Sequence, residues 1–148
     1  MPPEVTDHPD VAVFDEIRWI ENLARLHVAK QLPVGLTYPQ FEVLNLLSRR
    51  GDDITPRDIA TALQLTKNGL THTLQRLCVR SLIKVEACPT DGRKKRVLMT
   101  AEGRQAYSQA MAAIRPKMES LRDGFTAREF REALPFLRAL RSWLSDKD

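Results

Sequence analysis

The sequence has few cysteines and glycines and no long apolar segment. Its two cysteines, Cys78 and Cys88, are too few for a disulfide framework, so we expect a cytoplasmic protein. Its longest apolar runs have four or five residues, far below the roughly 18 that span a membrane. The N-terminus does not combine a basic stretch with an apolar core, and we expect no secretory signal. These absences argue against a membrane protein and a disulfide-stabilised secreted domain.

The sequence also lacks the patterns that carry catalysis or metal binding. Its three histidines, His8, His27 and His72, do not have the spacing of metal ligands. It contains neither a glycine-rich phosphate loop nor a nucleophile motif. At 148 residues the chain is also far shorter than a barrel enzyme, which needs roughly 250. We therefore expect no enzymatic activity, no metal and no cofactor.

Positive charge is concentrated in one part of the chain. The formal net charge is only +4, but residues 66–104 contain nine lysines or arginines and three acids, a net of +6. A nucleic-acid-binding face requires such a cluster. A solvated basic surface has the same composition, so charge alone does not separate the two interpretations.

Apolar spacing predicts two helices before the basic segment. Residues 1–9 contain three prolines and no periodicity, and we predict a loose arm there. Apolar residues then recur at helical spacing over residues 10–31. Thr37 is placed to cap a second helix, which we expect to end near Gly51.

Two capping signals within the next thirty residues predict a helix-turn-helix. Thr55 is followed three residues later by Asp58, which predicts the start of a short helix. Thr66 is placed to cap a longer second helix. A short helix, a tight turn and a longer helix are typical of a DNA reader. The positions of the second helix that we expect to face inward are Leu70, Leu74 and Leu77.

A hairpin with a basic tip is predicted after the helix-turn-helix. Residues 83–87 alternate between apolar and polar side chains, as a half-buried strand does. Residues 88–94 have turn chemistry, and residues 96–99 are predicted to return as a second strand. A two-stranded hairpin is marginal in water, so this one must pack against the helices.

Two further helices are predicted at the C-terminal end. The first begins at Thr100 and is expected to end at Gly124, and the second begins at the capping box of Thr126. Pro116 and Pro135 lie inside these helices and are predicted to bend them.

Together these elements predict a mainly α protein with a small β-hairpin wing. We assign residues 36–99 to a winged helix-turn-helix DNA-binding region, and residues 10–35 and 100–148 to a helical dimerisation region. The outer helices have broad apolar faces, and the chain has no second domain to cover them. We therefore favour packing against a second copy over packing within one chain. A two-fold dimer would place two reading helices ~34 Å apart.

Three segments of the chain resemble the MarR family of bacterial winged-helix transcriptional regulators. Residues 36–44 resemble the Leu-Thr-x-x-Gln opening of the family's second helix, and residues 55–77 resemble its helix-turn-helix. Residues 91–103 are similar to the wing signature, which is Asp-x-Arg, a strand and Leu-Thr-x-x-Gly, with Met99 replacing the leucine. Ser81 stands where the family usually has glycine after the recognition helix. The resemblance extends over nearly the whole chain.

The resemblance places the DNA-reading surface on the recognition helix and the wing. Asn and Gln suit adenine, Lys and Arg suit guanine, and Thr suits the thymine methyl group. The family resemblance also implies that Arg93 enters the minor groove while Asp91 holds the Arg93 side chain by a charge-assisted pair. The predicted contacts are Lys67, Asn68, Thr71, His72, Gln75 and Arg76 on the helix, and Asp91, Arg93, Lys94, Lys95 and Arg96 on the wing.

The family resemblance also implies a function and its control. We expect a homodimer on a pseudo-palindromic operator in double-stranded DNA, acting as a repressor that a small aromatic or phenolic effector releases. Aromatic residues at helical spacing more often belong to the core, and this alternative stays open for the expected pocket. The residues expected to line it are Trp19, Leu23, His27, Tyr38 and Phe41.

Two other interpretations are kept. A thiol sensor is disfavoured, because neither Cys78 nor Cys88 lies in the first helix, where the family's peroxide sensors carry the reactive cysteine. The main alternative function is a winged-helix scaffold for protein contact or regulation, without base-specific reading of DNA. The dependence of DNA binding on salt separates these functions, because each phosphate contact adds ~0.9 to the slope.

Overall fold

The computed structural model of the chain describes residues 8–51 and 53–146. The chain forms two compact units, one ending at Ile114 and the other beginning at Arg115. The elements are α1 (Pro9–Gln31), α2 (Tyr38–Arg50), α3 (Pro56–Leu63), α4 (Lys67–Val79), β1 (Ile83–Ala87), β2 (Lys95–Met99), α5 (Ala101–Glu119), a 3₁₀ turn (Ser120–Asp123) and α6 (Ala127–Ser145). The fold is the mainly helical winged helix-turn-helix that the sequence predicts.

The helices begin where the capping residues predict. Thr55 begins α3 through a reciprocal pair of bonds: its hydroxyl accepts from the Asp58 N–H at 3.1 Å, and its own N–H donates to Asp58 Oδ2 at 3.2 Å. The same capping box occurs at Thr37 and at Thr126. Helix α1 begins at Pro9, one residue earlier than expected, and residues 1–7 of the predicted arm lie outside the described residues.

Both helices of the helix-turn-helix end in a left-handed residue that is not glycine. Gln64 after α3 has φ 55°, and Ser81 after α4 has φ 61°. At the second site the Ser81 N–H donates to the Cys78 carbonyl at 2.9 Å, and the Leu82 N–H donates to the Leu77 carbonyl at 3.0 Å. This pair of bonds is a Schellman motif, in which glycine is the usual residue at the left-handed position. Ser81 therefore adopts the left-handed conformation in which glycine is usual, and both hydrogen bonds of the motif are still formed.

The core of the first unit lies under the helix-turn-helix. The three leucines predicted to face inward from α4 are all buried, and they contact one apolar cluster. The other buried members of that cluster come from α2, α3, β1, β2 and α5 and from the segments between elements. Its fully buried members include Val43, Leu44, Ile59, Leu77 and Val97.

The wing is a two-stranded antiparallel hairpin supported by a third piece of extended chain. Its register pairs Ile83 with Met99 at one end and Ala87 with Lys95 at the other. Strand β2 begins one residue earlier than predicted. The Val97 N–H donates to the Ile54 carbonyl at 2.9 Å, which ties the segment before α3 to the wing. This support provides the packing that an isolated hairpin would lack.

Helix α5 begins against the end of the recognition helix. The Thr100 hydroxyl donates to the Ser81 carbonyl at 2.6 Å and accepts from the Gly103 N–H at 2.9 Å. The Thr100 N–H donates to the Leu82 carbonyl at 3.1 Å. A Cβ atom on Gly103 would overlap the Leu82 carbonyl oxygen and lie 2.9 Å from Met99 Cγ. Threonine and glycine at this spacing therefore have a structural role in the wing signature.

The second unit contains the end of α5, the 3₁₀ turn and α6. Helix α5 ends at Glu119 and not at Gly124, because residues 120–123 form the tighter turn. Helical hydrogen bonding extends past Pro116 in α5 and Pro135 in α6. Helix α6 is wholly described and has no buried residue.

The close approach at Gly103 leads to a stability prediction. Gly103→Ala is expected to lower the free energy of unfolding by about 1–3 kcal/mol, because the new methyl group collides with backbone that has to move. Gly92→Ala is the control, since a Cβ at Gly92 meets nothing within 4 Å. Urea denaturation followed by circular dichroism measures both. Equal stability of the two variants would contradict the close packing of α5 on Leu82.

Candidate nucleic-acid interface

Helix α4 separates a buried face from a polar face. The buried residues are Leu70, Thr73, Leu74 and Leu77. Thr66 caps the helix, accepting from the Gly69 N–H at 3.0 Å. All six side chains predicted to contact DNA are exposed, namely Lys67, Asn68, Thr71, His72, Gln75 and Arg76. The helix therefore presents amide, imidazole, hydroxyl and cationic groups together on its exposed side.

The polar groups of this face are not equally available. The Thr71 hydroxyl donates to the Lys67 carbonyl at 2.8 Å, so its proton is already used within the helix. The methyl group of Thr71 and the hydroxyl lone pairs are left for a ligand. His72 and Gln75 are three positions apart, a spacing that puts two side chains on one side of a helix.

Asp91 organises the tip of the wing through the backbone. Its Oδ1 atom accepts from the Arg93 backbone N–H at 3.0 Å. The turn is closed by the Lys94 N–H, which donates to the Asp91 carbonyl at 3.0 Å, and by the Cys88 N–H, which donates to the Lys94 carbonyl at 2.8 Å. The carboxylate of Asp91 and the guanidinium of Arg93 do not form the expected ion pair in this structure, and Asp91 instead bonds the backbone of Arg93. The Arg93 side chain is exposed and has no ion pair within the described part of the chain.

Arg96 differs from the other wing cations because it is bound within the protein. Its guanidinium donates to Glu86 Oε1 at 2.6 and 3.1 Å, across the strand pair that aligns these two residues. Asp53 lies 3.8 Å away on the segment before α3. The bond to Glu86 raises the pKa of Arg96 above its usual value. Arg96 was predicted as a DNA contact, but its side chain is only 24% exposed and joins parts of the wing.

Two arginines that the sequence did not single out as site residues are important in the structure. Arg80 Nη1 donates to the Gly35 carbonyl at 2.5 Å and ties the end of α4 to the loop before α2. Arg57, in the first turn of α3, lines a surface depression of about 590 Å³ together with Lys94 and Lys95. The sequence feature that could have identified Arg57 is its position near the Thr55 cap of a predicted DNA-binding motif. Its neighbours in space could not be deduced from the spacing of residues in the sequence.

The five residues expected to line an effector pocket have different environments. Phe41 is buried in the core and stacks on Tyr107, with ring centroids 5.9 Å apart. Tyr38 is half-buried, and burial, then Glu42 and Glu21, raise its pKa. The core interpretation therefore holds for Phe41. The three residues on α1 are all exposed: Trp19, Leu23 and His27.

A depression of about 520 Å³ runs along α1 beside Trp19. Among the described residues its lining is mostly polar and includes two arginines, Arg18 and Arg25. Arg25 Nη2 donates to Asn22 Oδ1 at 3.2 Å and lies 3.4 Å from Glu21 Oε2. This surface therefore combines one aromatic ring with charged groups of both signs.

The two cysteines differ in their chemistry. Cys78 is exposed on α4, and desolvation raises the pKa of its thiol. Cys88 is partly exposed in the wing turn, with Sγ 3.3 Å from the Thr90 hydroxyl. Hydrogen bonds from Thr90 lower the pKa of Cys88.

Within residues 8–51 and 53–146, no group of three or more His, Cys, Asp or Glu side chains is placed to hold a metal ion. The helices of this described part are also too polar or too short to cross a membrane.

Comparison with known proteins agrees with this geometry. The family model of the MarR family matches residues 34–94, which include the helix-turn-helix and most of the wing. Among solved structures, the transcriptional regulator BldR from Sulfolobus solfataricus is similar with a TM-score of 0.77 and 20% identity, covering 92% of this chain and 99% of that one. A variant of MarR from E. coli, complexed with operator DNA, has a TM-score of 0.76 and 21% identity, covering 93% and 99%. CouR from Rhodococcus jostii, bound to p-coumaroyl-CoA, has a TM-score of 0.75 and 21% identity, covering 86% and 90%.

The class that the fold defines is the winged helix-turn-helix protein with long flanking helices. Residues 34–94 match the model of the MarR family, and the chain has the same fold as the transcriptional regulators to which it is similar.

The backbone contact of Asp91 leads to a prediction about order in the wing. Asp91→Ala is expected to speed amide hydrogen exchange at Arg93 about fivefold to tenfold, because a hydrogen bond of about 1 kcal/mol is lost. Asp91→Asn keeps an acceptor at the same position and should exchange nearly as the original protein does. NMR exchange rates measure this directly. Equal rates in the original protein and both variants would show that Asp91 does not hold the tip.

Proposed function

We propose that this chain is a sequence-specific DNA-binding regulator of transcription that acts as a homodimer on a pseudo-palindromic operator. One observation carries the proposal: all six predicted reading side chains lie on the exposed side of α4, opposite the buried residues that fix the helix in the core. A helix held in this way presents its polar face as a rigid surface, which is what base reading in the major groove requires.

The helix and the wing have different tasks in this proposal. Base edges differ in the major groove, so amide and imidazole groups on α4 select the sequence. Phosphates are the same for every sequence, so exposed wing lysines contribute affinity without selection. Arg93, at the exposed wing tip, is proposed to enter the minor groove, where its charge favours a narrow groove.

This division of tasks is tested by comparing helix and wing variants. His72→Ala and Gln75→Ala are expected to change the sequence preference but leave the salt dependence of binding near its original value. Lys95→Ala is expected to weaken binding to all sequences about equally and to reduce the salt slope by about one unit. Selection of bound DNA from a random pool gives the preference, and titrations at several salt concentrations give the slope.

The alternative function predicts a different result in the same experiments. A winged-helix scaffold for protein contact would select no DNA motif. If the original protein and both helix variants select the same motif, α4 is not the reader. A two-fold symmetric motif that changes in the helix variants supports both the reader and the dimer.

The dimer is proposed from the apolar surfaces of the outer helices. None of the described residues of α1 or α6 is buried. Exposed apolar side chains on these helices include Phe14, Ile17, Leu23 and Leu26 on α1, and Phe130, Leu134, Leu137 and Leu144 on α6. On each helix, several exposed large apolar side chains are the kind of surface that marks an interaction site. We propose that residues 10–35 and 100–148 are the dimerisation region, with the exposed apolar side chains of these helices at the interface and the charged side chains outside it, and that residues 36–99 bind DNA.

The proposed dimer is tested by placing a charge on an apolar face. Phe130→Glu is expected to shift the protein towards monomer at micromolar concentration, because a carboxylate would be buried without a partner. Arg131→Glu, at the neighbouring exposed position, is the control and should leave the dimer intact. Analytical ultracentrifugation measures the change. If the original protein is a monomer while circular dichroism shows that its helices are intact, the proposed dimer is contradicted.

We further propose that the protein represses transcription and that a small aromatic or phenolic effector releases it from DNA. CouR, which has the same fold, is bound to p-coumaroyl-CoA. In this chain the depression beside Trp19, with Arg18 and Arg25, offers a ring and two cations for such a ligand. This role requires the cytoplasmic location expected from the sequence, because the DNA is there.

A further inference from the structure

The beginning of α3 and the wing are held in a fixed relation by two contacts. The Val97 N–H donates to the Ile54 carbonyl at 2.9 Å. Arg96 in β2 lies 3.8 Å from Asp53, one residue before Ile54. These contacts join the chain that enters α3 to the strand that leaves the wing tip. Side chains on the first turn of α3 and at the start of β2 therefore face a common space.

This space is the depression of about 590 Å³ that contains three cationic side chains and one carboxylate. The cations come from two elements, since Arg57 lies in α3 while Lys94 and Lys95 lie at the wing. The side chains of Arg57, Lys94 and Lys95 are exposed. Among the described residues, the lining consists of Thr55, Pro56, Arg57, Asp58, Lys94 and Lys95.

The carboxylate in the depression belongs to Asp58, and it already accepts a hydrogen bond from the Thr55 N–H in the cap of α3. Hydrogen bonds with Thr55, first from its backbone and then from its side chain, lower the pKa of Asp58, and the charges of Arg50 and Lys94 lower it further. The charge of Lys94 therefore reaches the first turn of α3. Within the described residues, however, neither Arg57 nor Lys94 forms an ion pair with Asp58. Two cations from different elements thus face one space, and neither forms an ion pair with any residue that the structure describes.

We propose that Arg57 and Lys94 together hold a single phosphate of the DNA backbone across this depression. The inference rests on the proposed DNA-binding function and adds a site to it. A phosphate offers several acceptor oxygens, so a guanidinium and an ammonium reach it from different sides. In a helix-turn-helix the first helix crosses the DNA backbone, which is where α3 and the wing would share a phosphate. The site fixes the position of the wing relative to α3 on the duplex, and it carries no sequence preference.

The shared phosphate is tested with a double-variant cycle. Arg57→Gln and Lys94→Gln are each expected to weaken binding to operator and to unrelated duplex DNA by a similar factor, up to about fivefold near 150 mM salt. Because both contacts serve one phosphate, the loss in the double variant should be smaller than the product of the single losses. Its salt slope should fall by about 0.9, and not by about 1.8.

Asp58→Asn tests the same site with a change of opposite sign. The asparagine oxygen still accepts from the Thr55 N–H, but the negative charge beside the proposed phosphate is gone. DNA binding is expected to tighten by about twofold to fivefold, with the gain falling as salt rises. A merely structural role of Asp58 would give weaker binding or none of this salt dependence, and either result would overturn the site.

Lys30→Gln is the matched control, since it removes one exposed cation at the end of α1. This variant should change neither the affinity for duplex DNA nor the salt slope of binding. If the original protein binds no duplex DNA, the proposed function itself fails. If the original protein binds DNA but Arg57→Gln binds as tightly, or the double variant loses two units of slope, only the shared phosphate is wrong.

Discussion

The backbone around the Leu82 carbonyl is the point on which the rest of the structure depends. The recognition helix ends just before it, at a left-handed Ser81, and the Leu82 carbonyl accepts from the Thr100 N–H at 3.1 Å. Gly103 approaches the same oxygen so closely that a side chain there has no room. Because backbone packs against backbone at this junction, the end of α4, the first strand of the wing and the start of α5 are held close together. The exposed face of α4 is therefore held rigidly by contacts outside the face itself.

The cations of the wing show that a positive charge alone does not decide whether a side chain bonds within the protein or faces solvent. Arg96 lies beside three other cations in the sequence, but it bonds Glu86 across the strands and lies near Asp53. Together with the Ile54–Val97 bond, this ion pair supports a hairpin that would be marginal alone. The stabilised hairpin then presents Arg93 and its lysine neighbours to solvent. One cation of the wing thus serves the fold so that the others are available for a ligand.

Local chemistry made most of the fold predictable from the sequence. Threonine caps with acids or amides three residues later gave the starts of three helices, and leucines at helical spacing gave the buried face of α4. Contacts between residues far apart in the sequence were not predictable. The periodicity of apolar residues indicates which face of a helix or strand a residue occupies, but it does not indicate which other element packs against that face. The ion pair of Arg96 with Glu86 was therefore not foreseen, and neither was the position of Arg57 beside the wing lysines. At Asp91, the nearby arginine suggested an ion pair, although the backbone N–H of that same residue is the actual partner.

Affinity and specificity would come from different parts of the proposed complex. Only two of the six exposed candidate side chains on α4 are cationic, Lys67 and Arg76, so this face makes a modest contribution to phosphate attraction. In the proposed complex the exposed cations at the wing and at the start of α3 would supply more of this attraction, through counterion release that weakens as salt rises. Hydrogen bonds to base edges fade less, because they do not depend on displaced ions. Raising the salt concentration would therefore reduce binding to all DNA while the preference for the operator persists. In this way a chain with a net charge of only +4 would still bind DNA selectively, because in the proposed complex its cations would lie at phosphates and its neutral polar groups at the bases.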